Sequence, residues 1–203
     1  MTKQKSDFRI DLDKYYHLVP GSAKPPLGWR IRFWIFNFGL HCVACYRFGK
    51  YADRLYAKSK VLGFIPRCLH VVLSYFVHMV HHVNIDAATI GPGFNLGHVG
   101  TIYVGPTVIG RNFSLGHNVT IGIGHSEAGE GIPTIGDDVW VGIGAVISGP
   151  ITIGNRVTIA NGCILSRSVP DGCLVAGNPG RVVLADYDNS KLLGWKFHDD
   201  ATA

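Results

Sequence analysis

Between residues 84 and 183, aliphatic residues recur at every sixth position. The series is Ile90, Leu96, Ile102 and Val108, then, after a shift of one residue, Ile109, Leu115 and Ile121, and after a longer gap Ile135, Val141, Ile147, Ile153, Ile159 and Leu165. A period of six matches neither the 3.6-residue turn of an α-helix nor the alternation of a half-buried strand. It predicts a parallel β-helix with three short sides per turn, each side placing one aliphatic residue inside. Eighteen residues make one turn, so we expect between four and five turns.

The N-terminal residues 1–83 follow another pattern. Residues 1–27 are polar and rich in turn-forming proline and glycine, which predicts an irregular lead-in. Apolar stretches with interspersed basic residues predict one helix over 28–50 and a second over 61–82. The fold class is therefore mainly β, with a short α-helical region before the β-helix.

Three segments follow from these patterns. They are an N-terminal lead-in and helical region at 1–83, a β-helix domain at 84–183 and a C-terminal tail at 184–203. The step from Ile121 to Ile135 is two residues longer than two hexapeptides, so a loop should leave the coil within 122–133. Excursions from a strict repeat often carry function.

Charge divides the chain at the same place. Residues 1–83 hold 13 Lys/Arg and 4 Asp/Glu, a net charge of +9, whereas residues 84–203 hold 6 and 10, a net charge of −4. The predicted helices 28–50 and 61–82 carry too many charged and histidine residues for convincing membrane spans. Two alternatives remain for residues 28–83: packing within the protein and on a partner subunit, or peripheral contact with an anionic membrane. The chain has no nucleic-acid-binding motif.

The five cysteines are odd in number and scattered, which is typical of a protein from the reducing cytoplasm. Cys42 and Cys45 form a C-x-x-C pair that we interpret as two packed helix residues. The N-terminus has no apolar signal core, so we expect a cytoplasmic protein, peripheral at the inner face of the membrane if the second alternative holds.

Two histidines carry the candidate chemistry. His98 and His117 each lie two residues after an inward-facing leucine, and they are 19 residues apart, one turn plus the one-residue shift. They should occupy equivalent positions in adjacent coils, with backbones about 5 Å apart. An imidazole with a pKa of about 6.5 suits removal of a proton from a hydroxyl. His125 lies in the predicted loop and could fold over this pair, whereas we interpret the cluster His78, His81 and His82 as an ordinary helix end.

Four stretches resemble the serine acetyltransferase group of left-handed β-helix acyltransferases. They are GLHCVACYRFGKY (39–51), VNIDAATIGPGFNLGH (83–98), NVTIG (118–122) with the loop that follows it, and VPDGCLVAGNPGRVV (169–183). The resemblance implies a left-handed coil and a homotrimer, or a hexamer, that binds acetyl-CoA between neighbouring β-helices. It also implies direct acetyl transfer with His98 as general base and no metal.

Further site residues come from the same resemblance. The groove for the pantetheine arm would be lined by Gly142, Ile143, Gly144, Ala160, Asn161 and Gly162. Arg167 and Arg181 are the candidates for the CoA phosphates. For acceptor binding we assign His125, Glu130 and Asn118, beside the catalytic pair His98 and His117.

The sequence departs from the family pattern around the acceptor. Gly97 stands before the base where the family has aspartate, Gly131-Ile132-Pro133 replaces Arg-His-Pro, and Gly105-Pro106-Thr107 is a shortened Gly-Glu-Thr-Ala. His117 replaces a glutamine. The motif from His117 to Gly122 is similar to that of colanic-acid-type acetyltransferases. These departures favour a sugar hydroxyl of a bacterial surface polysaccharide as the acceptor.

Two alternatives stay open. The first is a serine O-acetyltransferase of cysteine biosynthesis. The second is a β-helix scaffold without catalysis, since the fold alone does not imply an activity.

Overall fold

The computed structural model describes residues 5–18, 25–126 and 129–194, and these form a helical region followed by a parallel β-helix. The helices are α1 (Asp7–His17), α2 (Leu27–Phe36), α3 (Phe38–Lys58), α4 (Lys60–His81) and, near the C-terminus, α5 (Ser190–Leu193). The predicted turns at Pro20 and Gly21, and the tail from residue 195, lie outside the described residues.

Two sequence predictions for the helical region are wrong. The lead-in contains α1, which starts after the N-cap Ser6 and buries Leu12, Tyr15 and Tyr16. The predicted helix over 28–50 is two helices, because the side chain of Asn37 accepts a hydrogen bond from the Leu40 N–H at 2.8 Å and caps the start of α3.

The β-helix has three sides, each a sheet of short parallel strands from successive coils, and side C also holds the antiparallel strand β17. Side A contains β1 (Val83–Asn84), β4 (Ile102–Val104), β7 (Thr120–Gly122), β12 (Val146–Ser148) and β15 (Ile164–Leu165). Side B contains β2 (Thr89–Ile90), β5 (Val108–Ile109), β10 (Thr134–Ile135) and β13 (Thr152–Ile153). Side C contains β3 (Asn95–Leu96), β6 (Ser114–Leu115), β11 (Trp140–Val141), β14 (Thr158–Ile159), β16 (Leu174–Ala176) and β17 (Arg181–Leu184).

The inward residues stack in register along each side, which confirms the predicted hexapeptide fold. On side C, for example, Leu96 pairs with Leu115, and Val141 with Ile159. The hydrogen bonds run from coil to coil, as from the Gly97 N–H to the Leu115 carbonyl at 3.1 Å. Each coil therefore buries one aliphatic residue per side without leaving its backbone groups unpaired. The antiparallel strand β17 pairs with β16 and ends side C.

The predicted repeat is wrong at one point in the first full coil. Val108 is 59% exposed, and Val104 is the residue that pairs with inward Ile121. Leu96 and Val104 are eight residues apart and Val104 and Ile109 are five, so the irregular spacing lies at β4 and not between Val108 and Ile109. Ile102 is buried as predicted, whereas the spacing alone did not show that Val104, and not Val108, also faces inward.

Buried polar contacts fasten the helices to the first coil. The Arg47 Nε donates to Asp11 at 2.6 Å, and its two terminal nitrogens donate to the carbonyls of Ile90 and Gly91 at 2.7 Å. Asp11 also accepts from the N–H groups of Gly93 and Phe94. The ion pair therefore joins α1 and α3 to the backbone that leads to the candidate site.

Candidate active site

The two histidines predicted to act together lie at the corner between sides C and A, one coil apart. His98 follows β3 and His117 follows β6, each two residues beyond its inward leucine. Their rings are 6.0 Å apart between centroids and nearly perpendicular. His98 is exposed and His117 is half-buried. One small substrate at this corner can therefore reach both imidazoles.

His117 holds a buried polar atom that is unpaired within the described part of the chain. Its Nδ1 has no hydrogen-bond partner among the residues that the structure describes. A buried polar atom of this kind costs free energy unless a ligand or water satisfies it. The hydrogen-bonding capacity of this atom is therefore available to a bound ligand or to water.

Asp11, Asp13 and Glu130 are carboxylates that could have oriented the His98 ring, but each makes another contact. Asp11 is paired with Arg47 in the buried ion pair, and Asp13 pairs with Lys5 at 3.2 Å. Glu130 lies 3.9 Å from His125 in the hairpin described below. The backbone of β3, the strand that precedes His98, positions this histidine instead.

Tyr15 holds that backbone, and no sequence pattern predicts this role. Its hydroxyl donates to the Leu96 carbonyl at 3.1 Å and accepts from the Leu96 N–H at 2.9 Å. Burial raises the pKa of Tyr15 above its usual value, so the hydroxyl keeps its proton. Gly39 of α3 also approaches this strand, where an added Cβ would overlap the Leu96 carbonyl oxygen. These contacts fix the backbone two residues before His98.

The same corner continues through the next two coils as a surface of mostly small residues, with the 39% exposed side chain of Ile143 among them. It consists of the predicted cofactor-binding segments Gly142–Gly144 and Ala160–Gly162. The Gly144 N–H donates to the His117 carbonyl at 3.1 Å, and the Gly162 N–H donates to the Ile143 carbonyl at 2.8 Å. Asn161 accepts from the Ile143 N–H through its side chain at 2.9 Å.

Glycine is required at two points of this surface. An added Cβ at Gly142 would lie 2.6 Å from the Asn161 backbone nitrogen, and Gly144 has a φ of +71°. With coils about 4.8 Å apart, the corner extends roughly 14 Å from His98 to Asn161. This surface, formed by Gly142–Gly144 and Ala160–Gly162 and called the track of small residues below, leads to the two histidines.

The two arginines predicted to bind phosphates lie in different places. Arg181 begins β17 and pairs in register with Ala176, next to the histidine corner of the last coil. Arg167 follows β15 and lies at the corner between sides A and B, at the other end of side A. Both side chains belong to exposed residues.

The predicted loop forms an antiparallel hairpin of β8 (Gly124–Ser126) and β9 (Gly129–Gly131). Residues 127–128, between the two strands, lie outside the described part of the chain. It leaves the coil at the corner between sides A and B, where Gly124 and Gly131 pack against Ser148 and Pro150. His125 therefore lies at the opposite end of side A from the histidine pair of its own chain. Asn118, with a φ of +55°, lies directly beside His117.

Comparisons with known proteins agree with this architecture. The family described as bacterial transferase hexapeptide (six repeats) matches residues 132–167. The chain is 35% identical over 147 residues to the serine acetyltransferase of Bacillus pumilus, covering 72% of this chain and 64% of that protein. It thus spans somewhat less than two thirds of the length of that relative.

Solved structures of serine acetyltransferases also match. The soybean apoenzyme superposes with a TM-score of 0.67 at 30% identity, covering 87% of this chain and 67% of that one. The Brucella abortus enzyme in complex with coenzyme A gives 0.67 at 27% identity, with 87% and 66% covered. The Neisseria gonorrhoeae enzyme in complex with serine gives 0.67 at 29% identity, with 88% and 68% covered.

These relatives contradict the prediction of a polysaccharide acceptor. Serine acetyltransferases match the chain both in sequence and in structure, and one of the matching structures holds serine itself. The sugar prediction is therefore wrong, and the relatives support its alternative. By fold, by the hexapeptide match and by its similarity to these proteins, the chain belongs to the serine acetyltransferase family of hexapeptide-repeat acyltransferases.

Proposed function

We propose that this protein is an acetyl-CoA-dependent serine O-acetyltransferase. The observation that carries the proposal is the pair His98 and His117, whose rings lie 6.0 Å apart at the head of a track of small residues. The pair supplies groups for proton removal and for acceptor binding, and the track suits a long, thin acyl carrier. The relatives named above supply the acceptor, L-serine.

In the proposed reaction His98 acts as the general base. Its imidazole takes the proton from the serine hydroxyl as the oxygen attacks the thioester carbon of acetyl-CoA. The tetrahedral intermediate collapses by breaking the carbon–sulfur bond, and the protonated imidazole returns the proton to the CoA sulfur. No covalent enzyme intermediate is needed, because holding both substrates in line supplies much of the rate.

His117 binds the acceptor in this proposal. Its buried, unpartnered Nδ1 and its position one coil from His98 suit a hydrogen bond to the serine bound there. Asn118 lies beside it and exposes its amide to the same corner. These groups would take over part of the acceptor contact that Arg-His-Pro provides in the family pattern.

Acetyl-CoA is the proposed acyl donor. A matching structure, the Brucella abortus enzyme, is a complex with coenzyme A. In this chain the segments Gly142–Gly144 and Ala160–Gly162 would carry the pantetheine arm towards His98. Arg181, at the last coil of the same corner, would meet the phosphates of that CoA molecule.

A homotrimer would complete the site. The outer face of side A carries an in-register row of Tyr103, Thr120, Val146 and Ile164, of which Tyr103 is 47% and Ile164 40% exposed. An exposed, partly apolar row between the histidine corner and the hairpin suits contact with a second β-helix. Such packing would bring the hairpin with His125 and Glu130, and the Arg167 corner, towards the histidine pair of a neighbouring subunit.

The acceptor is tested by following free CoA from acetyl-CoA with L-serine, and separately with a polysaccharide repeat unit. We expect saturable turnover with L-serine only. Turnover of the glycan without turnover of serine would overturn the proposal. Light scattering of the same preparation measures the mass, and three chains per particle is the expected result.

His117 variants test its assigned role. His117→Ala should raise KM for L-serine by about tenfold or more, because the variant loses one hydrogen bond to a charged group. His117→Gln, which restores the family residue, should recover most of that affinity. An unchanged KM for serine in both variants would contradict acceptor binding by His117.

A further inference from the structure

Helix α4 has its polar and apolar faces arranged opposite to those of a surface helix in a soluble domain. The face that packs on α3 is a stripe of small and polar residues, namely Gly63, His70, Ser74 and His81. Gly63 lies against the backbone of Tyr56, His70 against Gly49, and the His81 ring 5.1 Å from that of Phe38. The two helices therefore pack antiparallel along their whole length through this stripe.

Partly buried polar contacts stabilise the inner stripe. The Ser74 hydroxyl donates to Asp86, which belongs to the first coil. His78 lies 3.5 Å and His70 3.8 Å from the same carboxylate. The polar residues of α4 are thus used inside the protein.

The outer face of α4 is apolar and uncovered. Twelve large apolar residues of this helix are at least 40% exposed: Val61, Leu62, Phe64, Ile65, Leu69, Val71, Val72, Leu73, Tyr75, Phe76, Met79 and Val80. At 100° per residue they cover an arc of roughly 200°. Among the described residues, α4 is also the helix with the length and hydropathy of a membrane span, with only 11% of its most apolar window buried.

The apolar surface continues beyond α4 at its C-terminal end. The ring contact between His81 and Phe38 brings the start of α3 to this end. Phe38 is 48% exposed and Phe36, the last residue of α2, is 69% exposed. Ile31 and Ile35 of α2 add to the exposed apolar residues of the helical region.

The charged side chains along the sequence of α4 are basic. From Arg54 to Ile85 the sequence contains Arg54, Lys58, Lys60 and Arg67 and no acidic residue. Lys58 and Lys60 flank the start of α4, and Arg67 lies at the border of the apolar arc, where its guanidinium stacks on Tyr56 and lies 3.6 Å from Asp53. Cations beside an apolar helix face match the headgroups of an anionic bilayer.

We propose that α4 lies in the interface of an anionic membrane, with its outer face among the acyl chains. A second protein helix covers only a stripe of about 100°, half of the exposed arc, whereas lipid covers all of it. The pair α3–α4 does not cross the bilayer, because α3 packs along α4 and carries Lys50, Asp53 and Arg54. The protein, expected in the cytoplasm, would then work at the inner leaflet. This proposal does not depend on the acceptor.

Co-sedimentation of the full chain with vesicles tests the proposal. The probes are vesicles of phosphatidylethanolamine with phosphatidylglycerol, and vesicles of phosphatidylcholine alone. We expect the protein to pellet with the anionic vesicles and much less with the neutral ones. The triple variant Ile65→Glu, Val72→Glu, Phe76→Glu alters the centre of the exposed arc, and it should lose about tenfold or more of the vesicle affinity.

A matched control keeps the test specific. Leu184→Glu changes a 53% exposed apolar residue of β17, far along the coil, and should leave vesicle binding unchanged. Circular dichroism and the acetyltransferase rate with soluble substrates report whether the variants are folded. Wild-type protein that stays in the supernatant with every vesicle would overturn the proposal. So would a triple variant that pellets as the wild type does, or one whose only change is a smaller oligomer, which would assign the face to a second copy.

Discussion

The side chain of Lys14 in α1 is fully buried against the β-helix. The titration of its amine therefore tests the packing of α1 on the first coils. Its Nζ donates to the Gly93 carbonyl and the Ser114 hydroxyl at 2.9 Å, and to the Phe113 carbonyl at 3.4 Å. Burial disfavours the charged form and lowers the pKa of Lys14 to about 7, although Asp11 and Asp138 oppose this shift. In the unfolded chain the amine returns to its ordinary pKa of 10.5.

The sign of the effect follows from proton binding. Between the two pKa values the unfolded chain binds one more proton than the folded protein does, so stability rises with pH in this range. The slope is about 1.4 kcal/mol per pH unit once the folded amine is neutral. From about pH 7 to about pH 9 the gain in the free energy of unfolding is about 2 kcal/mol.

Urea unfolding of the wild type and of Lys14→Met at several pH values in this range measures the effect. Methionine keeps most of the volume and removes the titrating group, so the difference between the two proteins isolates Lys14. The thiols of buried Cys42 and half-buried Cys45 have pKa values raised to about 12 and about 11. They act in the opposite direction above about pH 9 and are common to both proteins. Parallel curves for the two proteins would refute the reasoning.

Three further perturbations test the site and its support. Asp11→Ala should lower the free energy of unfolding by about 3–5 kcal/mol, because Arg47 is left buried without its partner, and Asp11→Leu with Arg47→Met should recover most of this loss in urea unfolding. Tyr15→Phe leaves two backbone groups of Leu96 unpaired, so we expect a loss of about 1–3 kcal/mol in unfolding and a fall in kcat larger than the change in either KM. Ala160→Trp fills the track of small residues, and it should raise KM for acetyl-CoA by about tenfold or more with KM for serine within about twofold, in steady-state kinetics. A double variant that is no more stable than Asp11→Ala would contradict the first assignment. An unchanged kcat would contradict the second, and equal changes of both KM values would contradict the third.

The coil was predictable from the sequence because its physical requirement recurs in every turn. Each side needs one inward aliphatic residue, and residues such as Ile135, Val141 and Ile147 repeat at that spacing. The rule fails where several aliphatic residues compete, as at Ile102, Val104 and Val108. It also missed α1, whose Asp11 and Lys14 look like surface charges although both are buried. Their partners lie 36 or more residues away in the sequence, so no local sequence pattern predicts these contacts.

The histidine pair was predictable for the same reason as the coil. Residues at equivalent positions of adjacent turns must stack, and the structure brings His98 and His117 together. The acceptor was not predictable from the departures in the loop. Absent Arg-His-Pro side chains indicate which contacts have been lost, not which groups replace them. The unpaired nitrogen of His117 is visible only in three dimensions, because it depends on which described residues surround the ring.

The central claim is that the histidine corner transfers an acetyl group to serine. The most direct measurement is the initial rate of O-acetylserine formation from acetyl-CoA and L-serine, with the product identified by mass spectrometry, for the wild type and for His98→Ala. Loss of the general base should reduce the rate by a factor on the order of 10²–10⁴ while the variant stays folded. Product from the wild type and an equal rate from folded His98→Ala, or no product from the wild type, would contradict the claim.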